Sequence, residues 1–248
     1  MLERAAADLV PLVAQFEVRE AGQGATTCEG KNETFCPNYF FDNINDYVKP
    51  TLEHVELVLL GVVLGFAVAM VLAIASHGRR WLIPPLVGVT GILYTIPSIA
   101  LFMILSPLTG RTLATAVLAL AIYNLQIIYR NANAGLANVP DSAKEAGRGM
   151  GMTDRQLLWR VELPLAMPEI IAGVRIATVS TVAIATLAIF VGAGGLGEVI
   201  YTDGYSRDVF KTNIVAGSVI AMVMAIGFDG LLVLAQRFIS PWRTVRAI

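Results

Sequence analysis

Long runs without charge restrict the fold of this sequence more than any other feature. Residues 57–76 contain no charged side chain, and four further apolar segments follow them. About 20 apolar residues in an α-helix cross the hydrocarbon core of a bilayer, and a helix satisfies its own backbone polar groups there. The sequence therefore predicts an all-α, polytopic membrane bundle with five main spans, at about residues 55–76, 84–106, 112–130, 174–197 and 212–236.

The composition favours the same class. Of the 248 residues, 56% are hydrophobic and only 15% are charged, against about 25% charged residues in soluble domains. The formal net charge of −1 gives no strongly basic surface, so nucleic acid is not an expected partner. The apolar segments make membrane lipid an expected partner. We assign residues 51–248 to a transmembrane domain and residues 1–50 to a polar N-terminal tail, whose start lacks the apolar core of a signal peptide.

Clusters of arginine and lysine predict the orientation of the bundle. They follow the first, third and fifth predicted spans, at residues 79–80, 130–160 and 237–246. These three positions lie on one side of the membrane, and an excess of basic residues marks the cytoplasmic side. We therefore expect a cytoplasmic C-terminus and an N-terminal tail outside.

The segment between the third and fourth spans, residues 139–168, is polar yet carries helix signals. Ser142 and Glu145 have the spacing of a capping box, in which a hydroxyl and a carboxylate bind each other's backbone N–H groups. Glycines then follow at three alternate positions, where they would weaken and end this helix: Gly147, Gly149 and Gly151.

A second helix is predicted directly after the glycines. Thr153 and Gln156 have the same capping-box spacing, and we expect Pro164 to end the helix because proline cannot continue the hydrogen-bond ladder. Residues 139–168 therefore predict a helix–turn–helix on the cytoplasmic side, shaped to be bound by another protein.

This segment resembles the EAA loop of permease subunits of bacterial ABC importers. The family pattern is Glu-Ala-Ala, three residues, Gly, nine residues, Ile, any residue, Leu-Pro. The residues here match it at the same spacing, with Gly147 in place of Ala and Val161 in place of Ile. The resemblance implies a coupling loop that docks on a cytoplasmic ATPase through Glu145, Ala146, Gly147, Gly151, Val161, Leu163 and Pro164.

The resemblance covers about residues 50–245 and is greatest to permeases for osmoprotectants such as glycine betaine, choline and carnitine. It rests on residues 94–98, 148–152, 161–168 and 192–197. Importers of the methionine type or of other small amino acids share the glycine run and a similar Leu-Pro ending, so they remain the alternative substrate class. The N-terminal tail lies outside the resemblance.

The family also implies the partners and the location. These are cytoplasmic ABC ATPase subunits, a second permease subunit that is identical or related, and an extracytoplasmic substrate-binding protein, all at the bacterial inner membrane. This sequence contains no Gly-Lys-Ser/Thr nucleotide loop, so we expect a transport subunit that is not itself an enzyme. ATP and Mg would belong to the partner ATPase, with no cofactor or metal on this chain.

Polar residues near a proline predict part of a translocation path. Pro97 lies in the middle of the second span, where it breaks the helix and frees backbone carbonyls. Tyr94, Thr95 and Ser98 surround this break, and Asn124 lies in the third span. A packed proline kink is the alternative for the break, and an interhelical hydrogen bond is the alternative for Asn124.

Four smaller features complete the predictions. Cys28 and Cys36 could form a disulfide if the tail lies outside, or they could be free thiols. Asp229 in the last span favours a structural ion pair, with Arg175 or Arg237, over proton coupling. The Gly61-x-x-x-Gly65 pattern favours packing within the chain over a subunit contact. Residues 192–197 predict a flexible glycine turn rather than a phosphate-binding loop.

Two other classes of function would use similar spans. An ATP-independent channel or carrier would have the 139–168 segment as a mere connector, and a membrane scaffold would use it to bind a partner other than an ATPase. The paired helix caps and the Leu-Pro ending argue against a connector.

Overall fold

The computed structural model describes residues 32–206 and 209–240, and every regular element in these ranges is helical. The all-α prediction is confirmed, with four helices long and apolar enough to span a membrane and one bent pair that can form a fifth span. We number the helices α1 (Pro37–Asp42), α2 (Ile44–Ser76), α3 (Ile83–Thr95), α4 (Ser98–Thr109), α5 (Leu113–Ala137), α6 (Asp141–Gly149), α7 (Asp154–Leu157), α8 (Leu163–Ala185) and α9 (Lys211–Ile239).

The first span is longer than predicted. α2 contains 33 residues, about 50 Å of helix, whereas the sequence predicted a start near residue 55. Charged residues such as Lys49 and Glu53 interrupt the apolar run but not the helix, and their side chains pair at 3.7 Å. The first turns of α2 therefore project beyond the hydrocarbon core, and the predicted tail boundary at residue 50 falls inside this helix.

The second span is broken at the predicted proline. The helical segments 80–95 and 98–109 meet at an angle of 97°, with Pro97 as the residue before α4. α4 continues past Pro107 and ends at Thr109, three residues beyond the predicted end. Gly110, with φ of +79°, ends it, because a left-handed residue cannot extend a right-handed helix.

The third span continues well past its predicted end at residue 130. Asn131 and Asn133 donate side-chain hydrogen bonds to the carbonyls of Ile127 and Tyr129, four residues earlier. These polar residues lie on a helix that extends beyond the apolar core, so hydropathy does not mark its end. Asn124 consequently lies in the middle of α5.

The prediction that Pro164 ends a helix is wrong. A π-helical turn at Leu158–Glu162 joins α7 to α8, and Pro164 lies in the first turn of α8. Proline is tolerated there because an N–H group in the first turn has no helical partner. The helix continues through a 3-10 turn, so that residues 154–191 form one run of 38 residues. The helix that contains the fourth predicted span therefore begins at Asp154, within the predicted coupling loop at residues 139–168.

The core is built around α5, which packs against α2 and α8. A methyl group added at Gly61 would lie 2.7 Å from Leu120 Cβ, and one added at Gly65 would lie 2.6 Å from Asn124 Cβ. The two glycines therefore allow α2 and α5 to approach closely, and packing within the chain is confirmed for the Gly61–Gly65 pattern.

The described part of the tail packs on the start of α9. Asn32 donates to the carbonyl of Val209 at 2.7 Å and accepts from the Lys211 N–H at 3.1 Å. The N–H of buried Cys36 donates to Thr212 Oγ1 at 3.1 Å. Cys28 lies outside the described residues, so its pairing with Cys36 stays a prediction.

Candidate functional site

The first coupling helix, α6, begins differently from the sequence prediction. Its cap residue is Pro140, with φ of −57° and ψ of 134°, and no side chain caps it. The predicted capping box of Ser142 and Glu145 is therefore wrong, because Asp141 is already helical and Ser142 lies inside the first turn. Pro140, the residue before the helix, has its φ fixed by its ring, and the helix starts two residues earlier than predicted.

The second predicted capping box is confirmed at Thr153. The Gln156 N–H donates to Thr153 Oγ1 at 3.3 Å, and the Thr153 N–H donates to Gln156 Oε1 at 2.9 Å. Gly151 precedes this cap with φ of +79°, a conformation that residues with a Cβ rarely adopt. The turn between α6 and α7 is therefore fixed on one side by a glycine and on the other by a reciprocal cap.

The residues predicted to couple to an ATPase divide into a surface group and a supporting group. Glu145, Ala146 and Gly151 are exposed, as a docking surface requires. Gly147 is buried, and a methyl group there would lie 2.5 Å from Leu157 Cδ1. Leu163 is also buried and Val161 and Pro164 are half-buried, and α6 packs on α7 and on the π-helical turn at Leu158–Glu162.

Two large apolar side chains on the same segment were missed by the sequence analysis. Met150 is 70% exposed and Trp159 is 55% exposed. Both lie within the polar segment at residues 139–168. Their position in an otherwise hydrophilic stretch was the available signal.

A buried acid ties the coupling segment to the first span. Glu162 is 4% exposed, and its Oε2 lies 3.3 Å from His77 Nε2 at the end of α2. No sequence pattern links Glu162 with His77, because the pair joins distant parts of the chain. Among the described residues, no group of three or more His, Cys, Asp or Glu side chains could hold a metal ion.

The residues predicted to line the translocation path at the break of the second span are mostly exposed at the surface of the bundle. Tyr94, Thr95 and Pro97 are exposed and Ser98 is half-buried. The Tyr123 hydroxyl donates to the carbonyl of Ile96 at the break, and its ring meets the Tyr94 ring edge-on at 5.8 Å between centroids. Tyr123 thus supplies the protein partner that a broken helix needs inside a membrane.

Asn124 is separate from that group. Its side chain is 1% exposed and accepts a hydrogen bond from Thr181 Oγ1 of α8 at 2.9 Å, while its Nδ2 has no partner among the described residues. It lies against Gly65 and Thr181, whereas its neighbour Tyr123 contacts the break. The interhelical hydrogen bond is present, and a place for Asn124 in the path stays a prediction.

Two side chains of α2 hold the glycine turn after α8. The Gly195 N–H donates to Glu53 Oε2 at 3.1 Å, and the Leu196 N–H donates to Nδ1 of buried His54 at 3.3 Å. His54 Nε2 lies 3.0 Å from the Val182 carbonyl, so this nitrogen carries the proton and Nδ1 accepts. The predicted turn is confirmed, with positive φ at Gly192, Gly194 and Gly195.

The predicted ion pair of Asp229 is also confirmed, with Arg175 as the partner. Arg175 Nε and Nη2 each lie 2.9 Å from one carboxylate oxygen of Asp229. This two-bond geometry is the strongest form of such a pair. It joins α8 to α9.

Comparison with known proteins identifies this helical architecture. The family described as "Binding-protein-dependent transport system inner membrane component" matches residues 61–244. The chain belongs to this family. It is therefore a multi-pass inner-membrane permease subunit of an ABC importer, as the EAA-like segment predicted.

Two characterised relatives are similar over most of their length. The osmoprotectant import permease protein OsmW of Salmonella typhimurium is 35% identical over 82% of this chain and 96% of its own length. The choline transport system permease protein OpuBB of Bacillus subtilis is 34% identical over 80% of this chain and 91% of its own.

Solved structures show the same fold. The inward-facing MetNI methionine ABC transporter superposes with a TM-score of 0.71 at 22% identity, over 78% of this chain and 95% of that chain. An amino acid ABC transporter with histidines gives a TM-score of 0.67 at 17% identity, over 81% of this chain and 97% of that chain. At these identities the likeness concerns the fold alone.

Proposed function

We propose that this permease carries quaternary ammonium osmoprotectants, with glycine betaine, choline and carnitine as the substrate class. The observation that carries the proposal is the similarity, over about four-fifths of the chain, to permeases named for osmoprotectant and choline transport. A methionine-type or other small amino-acid importer is less well supported, because the methionine transporter shares the fold at 22% identity.

The coupling segment is the site at which ATP hydrolysis by a separate ATPase acts on this chain. Exposed Glu145, Ala146 and Gly151 form the docking surface, with the apolar side chains of Met150 and Trp159 beside them. Coupling requires a segment that keeps its conformation when the ATPase moves against it. The left-handed conformation of Gly151 and the cap at Thr153 fix the turn between α6 and α7.

The orientation follows from the same assignment. The coupling segment and the C-terminus lie in the cytoplasm, and the N-terminal tail and the glycine turn at residues 192–197 lie outside. A substrate-binding protein delivers the substrate on that outer side, and a second permease subunit completes the path. The break near Pro97, with Tyr94, Thr95 and Ser98, contributes small polar groups that bind a cation weakly enough to release it.

Uptake into proteoliposomes tests this function. The permease is reconstituted with its ATPase, its second permease subunit and its binding protein, and uptake of labelled glycine betaine, choline, carnitine and methionine is measured with and without ATP. We expect ATP-dependent uptake of at least one quaternary ammonium compound and none of methionine. Uptake of methionine alone would contradict the substrate class, and uptake that ignores ATP would favour a channel or carrier.

A matched pair of glycine variants tests the coupling segment in the same assay. Gly151→Ala forces a Cβ into a left-handed residue, at a cost of about 1–2 kcal/mol, whereas Gly149→Ala lies at a helical position with open space around it. We expect Gly151→Ala to lower ATP-driven uptake and Gly149→Ala to leave it near the wild-type rate. Equal behaviour of the two variants would argue against a role for this turn in coupling.

A further inference from the structure

A groove of about 960 Å³ opens at the end of the bundle that carries the coupling segment. Its walls are the connection between α2 and α3 at residues 76–84, the last turn of α5, and the flank of α6. The docking surface proposed above does not include this groove.

Two walls of the groove are cationic. Arg79 and Arg80 lie on the α2–α3 connection and Lys144 and Arg148 on α6, and Arg79 and Arg148 also line an adjoining cavity of about 520 Å³. The two carboxylates that line the groove already have partners, Asp141 with Lys144 at 3.4 Å and Glu162 with His77 at 3.3 Å, and the adjoining cavity adds the carboxylate of Asp154. In the part of the chain that the structure describes, no ion pair forms with the three guanidinium groups, so the groove has an excess of positive charge.

The groove also has an apolar lining. Trp81 is 72% exposed and lines the groove together with Ile83, Pro84 and Leu136. Trp81, Ile83 and Pro84 stand where the α2–α3 connection enters the second span, which is the level of the membrane interface that tryptophan favours. Cationic and apolar side chains in one groove at this level fit an amphiphile, with an anionic head and a hydrocarbon body.

We propose that this groove binds the headgroup of an anionic phospholipid. Guanidinium groups of Arg79, Arg80 and Arg148 donate to the phosphate oxygens, with the two-bond geometry that arginine favours. The glycerol and the first acyl carbons pack on Trp81 and Pro84. An acidic segment of a partner protein would match the cations but would leave the apolar side chains of the groove in contact with water, which favours lipid as the occupant.

Quenching of Trp81 by brominated lipids tests the proposal. The full-length chain is placed in phosphatidylcholine nanodiscs containing brominated phosphatidylglycerol or brominated phosphatidylcholine. The fluorescence of a Trp81→Phe variant comes from the remaining tryptophans and is subtracted from that of the wild type. We expect stronger quenching by the brominated phosphatidylglycerol, and a difference that decreases with salt because the contact is ionic. Equal quenching by the two lipids would overturn the proposal.

Charge variants separate this groove from the general attraction of a basic segment to a membrane. Arg79→Gln with Arg80→Gln should weaken the apparent affinity for phosphatidylglycerol about fivefold for each charge removed. Arg155→Gln with Arg160→Gln removes two cations from the coupling segment outside the groove, and should leave that affinity unchanged. Equal losses in both double variants would overturn the proposal.

Two further experiments distinguish a lipid from a soluble phosphate ester or a partner protein as the source of the anionic group. Glycerol phosphate at millimolar concentration should not relieve the quenching, since it lacks the acyl chains that contact Trp81. Relief would identify a soluble phosphate ester as the occupant and overturn the lipid assignment. The difference between the two lipids should also survive addition of the ATPase, whereas its loss would assign the groove to the protein interface. Neither outcome depends on the substrate that the importer carries.

Discussion

Arg175 of α8 forms an ion pair with Asp229 of α9. The Nε and Nη2 atoms of Arg175 each lie 2.9 Å from a different carboxylate oxygen of Asp229. Both side chains are about one-third exposed and lie on helices apolar enough to span a membrane. An unpaired charge on such a helix is costly. The pair therefore neutralises two charges that the bundle could not hold separately.

Removing one member of this pair should harm the protein more than removing both. We expect Asp229→Ala to lower Tm of the purified permease, and Arg175→Ala added to Asp229→Ala to restore part of the loss, because the double variant leaves no unpaired charge. Asp141→Ala is the control, since its exposed pair with Lys144 should contribute little. If the double variant is less stable than either single variant, the pair has a role beyond neutralisation.

Close packing of α2 on α5 predicts a position-specific effect of added methyl groups. Gly65→Ala would bring a Cβ within 2.6 Å of Asn124 Cβ, while Gly88→Ala on α3 meets nothing within 4 Å. We expect Gly65→Ala to destabilise the permease by about 1–3 kcal/mol and Gly88→Ala to have no such cost. Denaturant titration in detergent measures both, and equal stability of the two variants would refute tight α2–α5 packing.

The hydrogen bonds of His54 predict a stabilising role at the glycine turn. His54→Leu leaves the Leu196 N–H and the Val182 carbonyl without the partners they have now, at a cost of about 2–5 kcal/mol in total. Glu53→Gln, one residue earlier, keeps an oxygen for the Gly195 N–H and should be nearly neutral. Hydrogen exchange at residues 192–197 reports the change, and unaltered exchange in His54→Leu would show that another contact fixes the turn.

The cap of α7 predicts a local loss on removal of one hydroxyl. Thr153→Val deletes the acceptor for the Gln156 N–H and should cost about 1 kcal/mol, whereas Thr153→Ser keeps that acceptor. We expect faster amide exchange at residues 154–157 in the valine variant alone. Similar exchange in both variants would mean that the continuous helix, and not the cap, holds this end.

How far the sequence predicted the structure depended on whether the signal was local. The spans followed from uncharged runs, and the Thr153 cap followed from two residues that contact each other directly. Span ends were less accurate, because residues such as Glu53 and Asn131 remain helical outside the apolar core. The cap at Ser142 failed because Pro140 already fixed the start of α6.

Contacts between distant segments were harder to predict. The pairing of Asp229 with Arg175 was one of two options, since few cations lie near that span. The contacts of Glu162 with His77 and of Tyr123 with Ile96 had no signature, because each joins residues on separate helices whose relative placement only the folded chain defines.

The unbroken helical run from Asp154 to Val191 has a consequence for how motion crosses the membrane. Its 38 residues correspond to a helix about 57 Å long. No loop separates the segment to which an ATPase would bind from the glycine turn at residues 192–197. Apart from bending at the π-helical turn of Leu158–Glu162, where helices can kink, a displacement at one end tilts the whole run. A tilt of about 10° around its midpoint would shift the outer turn by about 5 Å, and His54 and Glu53, which hold that turn, would carry the shift into α2.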